Sequence, residues 1–209
     1  LACTAAHAQP ASATPADAAP APAPESTLPA VRVKAAAEKE TASSPVPGYV
    51  AKRSATATKT DTPLNEVPQS ISVVSADQVR DQASPNLQEA LRYTAGVRSE
   101  TYGVDNRGDW FALRGGSVGS TLIDGLRRPP TGYWGSVRNE PYAFERIEVL
   151  RGPASVIAGQ NGPGGVVNLV SKRPQAERAG EIALQLGNHD HKQVQADLTG
   201  PLNADGTLL

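Results

Sequence analysis

Two arginines stand where a charge is costly. Arg114 closes the apolar run Trp110-Phe111-Ala112-Leu113, Arg151 closes Ile147-Glu148-Val149-Leu150, and each precedes a glycine. A guanidinium at the end of a buried strand needs a partner, because an unpaired buried charge loses its hydration without recompense. Glu145 and Glu148 are near in sequence, and a local pair such as Arg151 with Glu148 is one solution. The loop holding Gly159, Gly162, Gly164 and Gly165 raises the chemistry of a phosphate cradle. No Gly-Lys-Ser/Thr follows and no GxGxxG succeeds a strand, so these glycines read as turn residues. His189 and His191, one apart in a turn, could hold a metal, although a solvated turn is the default. Asp77 and Asp81 share a helical face without a nameable partner and read as solvated charge. There is no nucleophile elbow, no paired-histidine helix motif and no cysteine cluster. The expectation is a non-enzyme with no catalytic residue, resident metal or cofactor.

The 209 residues carry a net charge of −1, with 19 glycines, 18 prolines and 4% aromatics. That balance implies many turns, a modest core and no nucleic-acid surface. The single cysteine, Cys3, lies in the opening LACTAAHA. This stretch reads as the end of a secretory signal, with Ala6-His7-Ala8 meeting the small-x-small rule and Gln9 as the mature start. A lipoprotein reading of Leu1-Ala2-Cys3 is the alternative. Without that cysteine no disulfide framework exists, which suits an oxidising compartment. No apolar run of about 18 residues marks a transmembrane helix.

The elements that would position the two arginines follow from periodicity and turn chemistry. Residues 9–27 are rich in Ala and Pro and read as a disordered tether. In Leu28-Pro29-Ala30-Val31-Arg32-Val33-Lys34-Ala35, the valines alternate with basic residues, a strand pattern with no neighbouring strand. Such an edge can add to another protein's sheet. Residues 36–62 return to small and polar types and read as flexible linker. Ile71-Ser72-Val73-Val74 is a short strand, and Ser75-Ala76-Asp77-Gln78 a capping box for a helix to about Gln82. A second helix starts at Ser84-Pro85, with Leu87, Ala90 and Leu91 on one face and Gly96 at its end. Residues 97–109 read as a polar loop, with Trp110 facing the core as the next strand starts. Asp124-Gly125 between apolar residues signals a hairpin, and residues 128–140 form another loop.

The densest stretch is YAFERIEVLRGPASVIAGQNGPGGVVNLVSKRP, Tyr142 to Pro174. It reads as strand, Gly-Pro stop, a short helix over Ala154 to Ala158 with Pro153 at its first position, a glycine loop, and a second strand. After Pro174, Ile182, Leu184 and Leu186 alternate with polar residues, as do Val194, Ala196 and Leu198. A membrane β-barrel hairpin with these six towards lipid gives that pattern, and so does a soluble hairpin with one buried face.

The dense stretch closely resembles the plug-domain signature of TonB-dependent outer-membrane receptors. Ile157-Ala158 departs from the usual Leu-Tyr. With Pro68-Gln69-Ser70-Ile71-Ser72-Val73-Val74 upstream, the resemblance extends over residues 64–174 and looks most like the siderophore branch. It implies an α+β fold: a small mixed β-sheet plug with short helices over residues 63–175. A disordered tether precedes it and the first transmembrane β-barrel strands, 179–209, follow, with the rest of the barrel downstream. It implies that residues 28–35 are a TonB box and TonB the partner. It implies that Arg114 and Arg151 form a plug–barrel lock with glutamates of the barrel wall, Glu145 and Glu148 being the nearby acids. Tyr102, Arg107, Ser120, Tyr133 and Trp134 would meet the ligand, since Tyr and Trp offer a flat apolar face with one donor, suited to a neutral, oxygen-rich iron chelate. The transported ligand would be a ferric siderophore and the location the outer membrane. Haem, cobalamin or sugar receptors, a stand-alone secreted module with the plug fold, and a nucleotide-dependent enzyme are the alternatives.

Overall fold

A strand buried on both faces must be apolar or have its polar groups paired, and two segments of this chain are buried in that way. In a computed structural model, which describes residues 40–103, 105, 107–116, 120–128, 137–203 and 208, they are Phe144–Arg151 and Gly165–Ser171. They pair antiparallel at the centre of a five-stranded mixed sheet. All described residues lie in the compact unit 38–209.

In chain order the strands are β1 (Arg53–Ser54), β2 (Thr62–Pro63), β3 (Ser70–Ser75), β4 (Val97–Ser99), β5 (Phe111–Leu113), β6 (Ser120–Ile123), β7 (Leu126–Arg127), β8 (Phe144–Arg151), β9 (Gly165–Ser171), β10 (Ala179–Leu186) and β11 (Lys192–Thr199). The helices are α1 (Ala76–Asp81), α2 (Leu87–Ala90) and α3 (Ser155–Ala158). The main sheet runs β3-β8-β9-β6-β7, with only β6 and β9 parallel. β1-β2, β4-β5 and β10-β11 are separate antiparallel pairs. This is the expected α+β plug: a small mixed sheet with short helices.

Alternation along the strands splits the core in two. Val74, Ile147, Val149, Val167 and Leu169 face α2 and β5, packing with Leu87, Leu91, Phe111 and Leu113. Leu122, Leu150 and Val166 face the other way and pack with Ala57 and Ala154. The second face is therefore covered by chain from the supposed linker. Within residues 40–62, expected to be linker, Val46, Ser54, Thr56 and Ala57 are buried. Gly48 N–H donates to Asp77 at 2.7 Å, and the Tyr49 hydroxyl to Asp81 at 2.7 Å. The two helix aspartates, expected to be solvated, thus anchor this segment to α1. The segment's polarity concealed this, because it is held by hydroxyls and carboxylates rather than by an apolar stripe.

Local chemistry accounts for the element ends. Ser75 caps α1 by accepting from Gln78 N–H at 3.2 Å, and its own hydroxyl donates to the Gly48 carbonyl at 2.6 Å. The second helix begins later than Ser84-Pro85 implied, because Asn86 is its cap, accepting from Glu89 N–H at 2.8 Å. Residues 97–109 are not wholly loop: β4 pairs with β5 through Val97↔Leu113 and Ser99↔Phe111. Pro153 lies ahead of α3 rather than in it. Asp124 (φ 50°) and Gly125 (φ 77°) form the left-handed turn between β6 and β7.

Candidate functional site

The second face of β8 carries a buried ion pair that sequence reasoning did not assign. Arg146 and Glu148 stand two apart, so they project to one side, and lie 3.1 Å apart at 0% and 1% side-chain exposure. Glu148 Oε2 accepts the Ser54 hydroxyl at 2.6 Å and the Thr56 hydroxyl. Asn168 of β9 donates to Thr56 Oγ1 at 2.7 Å and accepts Gly125 N–H at 2.8 Å. Arg146 donates to the carbonyls of Thr41 and Arg53. Polar residues at alternate positions of an otherwise apolar, doubly buried strand were the available signal.

Glu148 is therefore engaged by Arg146 and is not the partner of Arg151, which corrects the local-pair expectation. Glu145 is likewise elsewhere: buried, hydrogen-bonded by the Val46 backbone, its pKa pushed up by desolvation. Arg151 instead donates to the Ala95 carbonyl (2.7 Å) and to the hydroxyls of Ser70 (2.7 Å) and Ser72. Arg114 sits at φ 48° after β5. A Cβ on Gly96 would meet Arg151 Cδ at 3.2 Å and Arg114 Cγ at 3.9 Å; one on Gly152 would meet Arg114 Nη1 at 3.2 Å. The two arginines thus flank the same glycines. Burial first, and the charge of Arg114 second, lower the Arg151 pKa. Among the described residues no carboxylate lies within ion-pair distance of either. The two guanidinium groups thus place positive charge side by side, Arg114 exposed and Arg151 half-buried.

The loop residues form a second cluster. Tyr102 is exposed and meets Trp110 edge-on at 5.7 Å. Trp110 is half-buried rather than in the core, where its neighbour Phe111 sits. Arg107 grips Asp105 through Nε and Nη2, lowering the Asp105 pKa to about 2. Ser120 is the first residue of β6, opposite Val166, on a different element from that loop. Tyr133 and Trp134 lie outside the described residues, as do residues 28–35. Both ends of the stretch holding Tyr133 and Trp134 are nevertheless tied to the same place: Arg128 donates to Asn139, and Asn139 donates twice to Asp109, each at 2.8 Å. Two loops are thereby rooted together.

Burial raises the Asp109 pKa despite the Asn139 bonds. A carboxyl with a raised folded pKa binds its proton more tightly when folded. Its contribution is greatest at low pH and is lost as pH rises through the folded value. Asp109→Asn should flatten the part of the stability–pH profile just above the ordinary carboxylate range. Urea midpoints measured from pH 4 to 7 check this; an unchanged profile would refute it.

The exposure of the β10-β11 hairpin bears on the two readings of its alternation. Ile182, Leu184, Leu186, Val194, Ala196 and Leu198 are exposed, while Gln185, Gln193, Gln195, Asp197 and Thr199 are half-buried. Lys172 at the end of the sheet binds Asp197 at 2.7 Å and lies 4.0 Å from the Tyr142 ring centre; Gln175 N–H donates to Thr199 at 2.7 Å. The hairpin turns its polar side to the plug and its apolar side outwards, as a barrel wall does and a soluble hairpin does not. No helix among the described residues is long and apolar enough to cross a membrane, which leaves strands untouched. His189 and His191 lie in the hairpin turn, and no group of three potential ligands for a metal occurs among the described residues.

The family model described as TonB-dependent Receptor Plug Domain matches residues 63–166. The chain is 40% identical over 176 residues to the ferrichrome outer membrane transporter/phage receptor of Escherichia coli K12, covering 82% of this chain and 23% of that one. It is 40% identical over 151 residues to the ferrioxamine B receptor of Salmonella typhimurium, covering 70% and 22%. Among solved structures, the ferripyoverdine receptor of Pseudomonas aeruginosa superposes with a TM-score of 0.72 at 28% identity, over 80% of this chain and 22% of that one. The chain spans about a quarter of the length of the curated relatives it matches.

Proposed function

This chain belongs, through residues 63–166, to the TonB-dependent receptor plug family, and on that premise we propose that it is the plug region of an outer-membrane receptor that imports ferric siderophores. The observation that carries the reading is the hairpin. Its apolar side chains face away from the plug and its polar ones towards it, so the plug is built to sit inside a wall of such strands. The names of the relatives, transporters or receptors for ferrichrome and ferrioxamine, support the substrate class.

In this reading TonB adds to the strand-forming residues 28–35. Arg114 and Arg151 take glutamates of the barrel wall, which supplies the acidic partners absent among the described residues and holds the plug until TonB acts. Glu145 and Glu148 have no part in that lock, being engaged at Val46 and Arg146. Tyr102, with Tyr133 and Trp134, offers aromatic faces to the chelate. Arg107 reaches it only together with Asp105. Ser120 remains a contact at the start of β6.

The test is uptake of radioactive iron supplied on a panel of siderophores. A host lacking its own receptors expresses the full-length protein, intact or without residues 28–35. Uptake of one chelate, abolished by the deletion, is expected. No uptake of any chelate, with the protein in the outer membrane, would reject the siderophore reading and turn attention to haem, cobalamin and sugars.

A further inference from the structure

Residues 40–63 pack on the second face of the main sheet, over Arg146, Glu148 and Asn168, yet share no ladder with it. β1 and β2 pair only with each other, through Arg53↔Pro63 and Ser54↔Thr62. The segment is held to the sheet by side chains. Ser54 and Thr56 bind Glu148, Asn168 binds Thr56, and Lys59 donates to the Gly125 carbonyl at 3.3 Å. Against this, β8 is laddered on both sides, from Ser70↔Arg151 to Ser75↔Arg146 and from Phe144↔Ser171 to Arg151↔Gly165. Traction arriving from the N-terminal side therefore meets individually breakable side-chain bonds before it meets a cooperative sheet.

The chemistry beneath makes release reversible. If the hydroxyls leave, Glu148 is not orphaned, because Arg146 remains 3.1 Å away and entering water replaces Ser54 and Thr56. An apolar joint would leave a dry surface that collapses or sticks. Here the uncovered strip carries Arg146, Glu148 and Asn168, edged by Leu122, Leu150 and Val166.

We propose that the hydroxyls of Ser54 and Thr56 on Glu148 form a releasable latch, at which traction on the N-terminal segment opens the plug and uncovers a polar slot along β8 and β9. The proposal rests on the reading that TonB pulls on residues 28–35, but the joint itself can be measured without TonB.

The full-length protein, reconstituted in a lipid bilayer, is pulled from a handle ahead of residue 28 in a single-molecule instrument. The rate of the first extension step at fixed load should rise on the order of tenfold in the Ser54→Ala, Thr56→Val double variant, since charge-assisted hydrogen bonds are lost. Thr56→Ser, which keeps the hydroxyl, should behave as the parent. Should the double variant fail to assemble, a Thr56→Cys, Asn168→Cys cross-link tests the same joint: the first step should vanish when oxidised and return on reduction. An unchanged first step in the double variant, or one that survives the cross-link, overturns the latch. A changed first step alongside iron uptake that does not need residues 28–35 would keep the latch and reject the TonB reading.

Discussion

Glu148→Ala should destabilise the folded plug by about 3–5 kcal/mol, the largest single-residue effect expected in this chain. The alanine removes the only acidic group paired with Arg146 among the described residues, and leaves that guanidinium at 0% side-chain exposure in a sheet that admits little water. The Ser54 and Thr56 hydroxyls lose their acceptor at the same stroke. The informative control replaces both charges, Arg146→Met with Glu148→Leu. An apolar pair of similar volume leaves no orphaned charge and should cost much less than the single change, although Thr56 and Ser54 are still stripped of a partner. Urea denaturation of the purified protein reads both. A single variant within about 1 kcal/mol of the parent, or a double variant worse than the single, would refute the account of the pair.

Gly165→Ala should be nearly as damaging, at roughly 4 kcal/mol or more, and should prevent the plug from forming in the membrane-inserted protein. Its φ of 129° lies where L residues rarely go, and an added Cβ would stand 2.1 Å from the Leu150 carbonyl oxygen and 3.0 Å from Arg151 Cα. Neither neighbour is a flexible tip; both belong to the central strand. Gly103→Ala separates conformational strain from collision, because Gly103 also has positive φ (82°) but nothing within 4 Å of an added Cβ. It should cost only about 1 kcal/mol. Equal effects of the two substitutions, by thermal melting, would show that crowding at β8 is not the reason for glycine there. In this loop Gly164 and Gly165 serve to bring β9 against β8 and β5, as the 2.3 Å approach of a Gly164 Cβ to the Leu113 carbonyl also indicates.

What was legible followed from local chemistry. Ser75 with Gln78, Asp124-Gly125, and the apolar runs around Val149 and Val167 each announce their element within a few residues, and each stands where expected. What was hidden depended on partners far along the chain. Ser54 and Glu148 are 94 positions apart, Thr56 and Asn168 112. Nothing in SATAT hints that its hydroxyls are buried, because small polar residues look alike in loose chain and in a satisfied network. The strand β4 was hidden for another reason: three residues are too few for a period to show. The roles of Arg114 and Arg151 were half legible. The expected cost of burial does not apply to Arg114, which is exposed, and Arg151 is half-buried with a carbonyl and two hydroxyls as acceptors; the structure also removes Glu148 as the acid that offsets Arg151.

The β10-β11 hairpin also bears on the order in which such a chain can mature. Its contacts are close in sequence, so it can form within microseconds of synthesis, whereas the plug must first close loops of about a hundred residues. For that interval a greasy two-stranded ribbon with free edges coexists with an unfinished core. Water is a poor place for it to wait, and edge-to-edge association is the default fate of such ribbons. The outward placement of Leu184, Leu186 and Leu198 thus makes the sequence from Ala179 to Thr199 an association hazard until that side is covered.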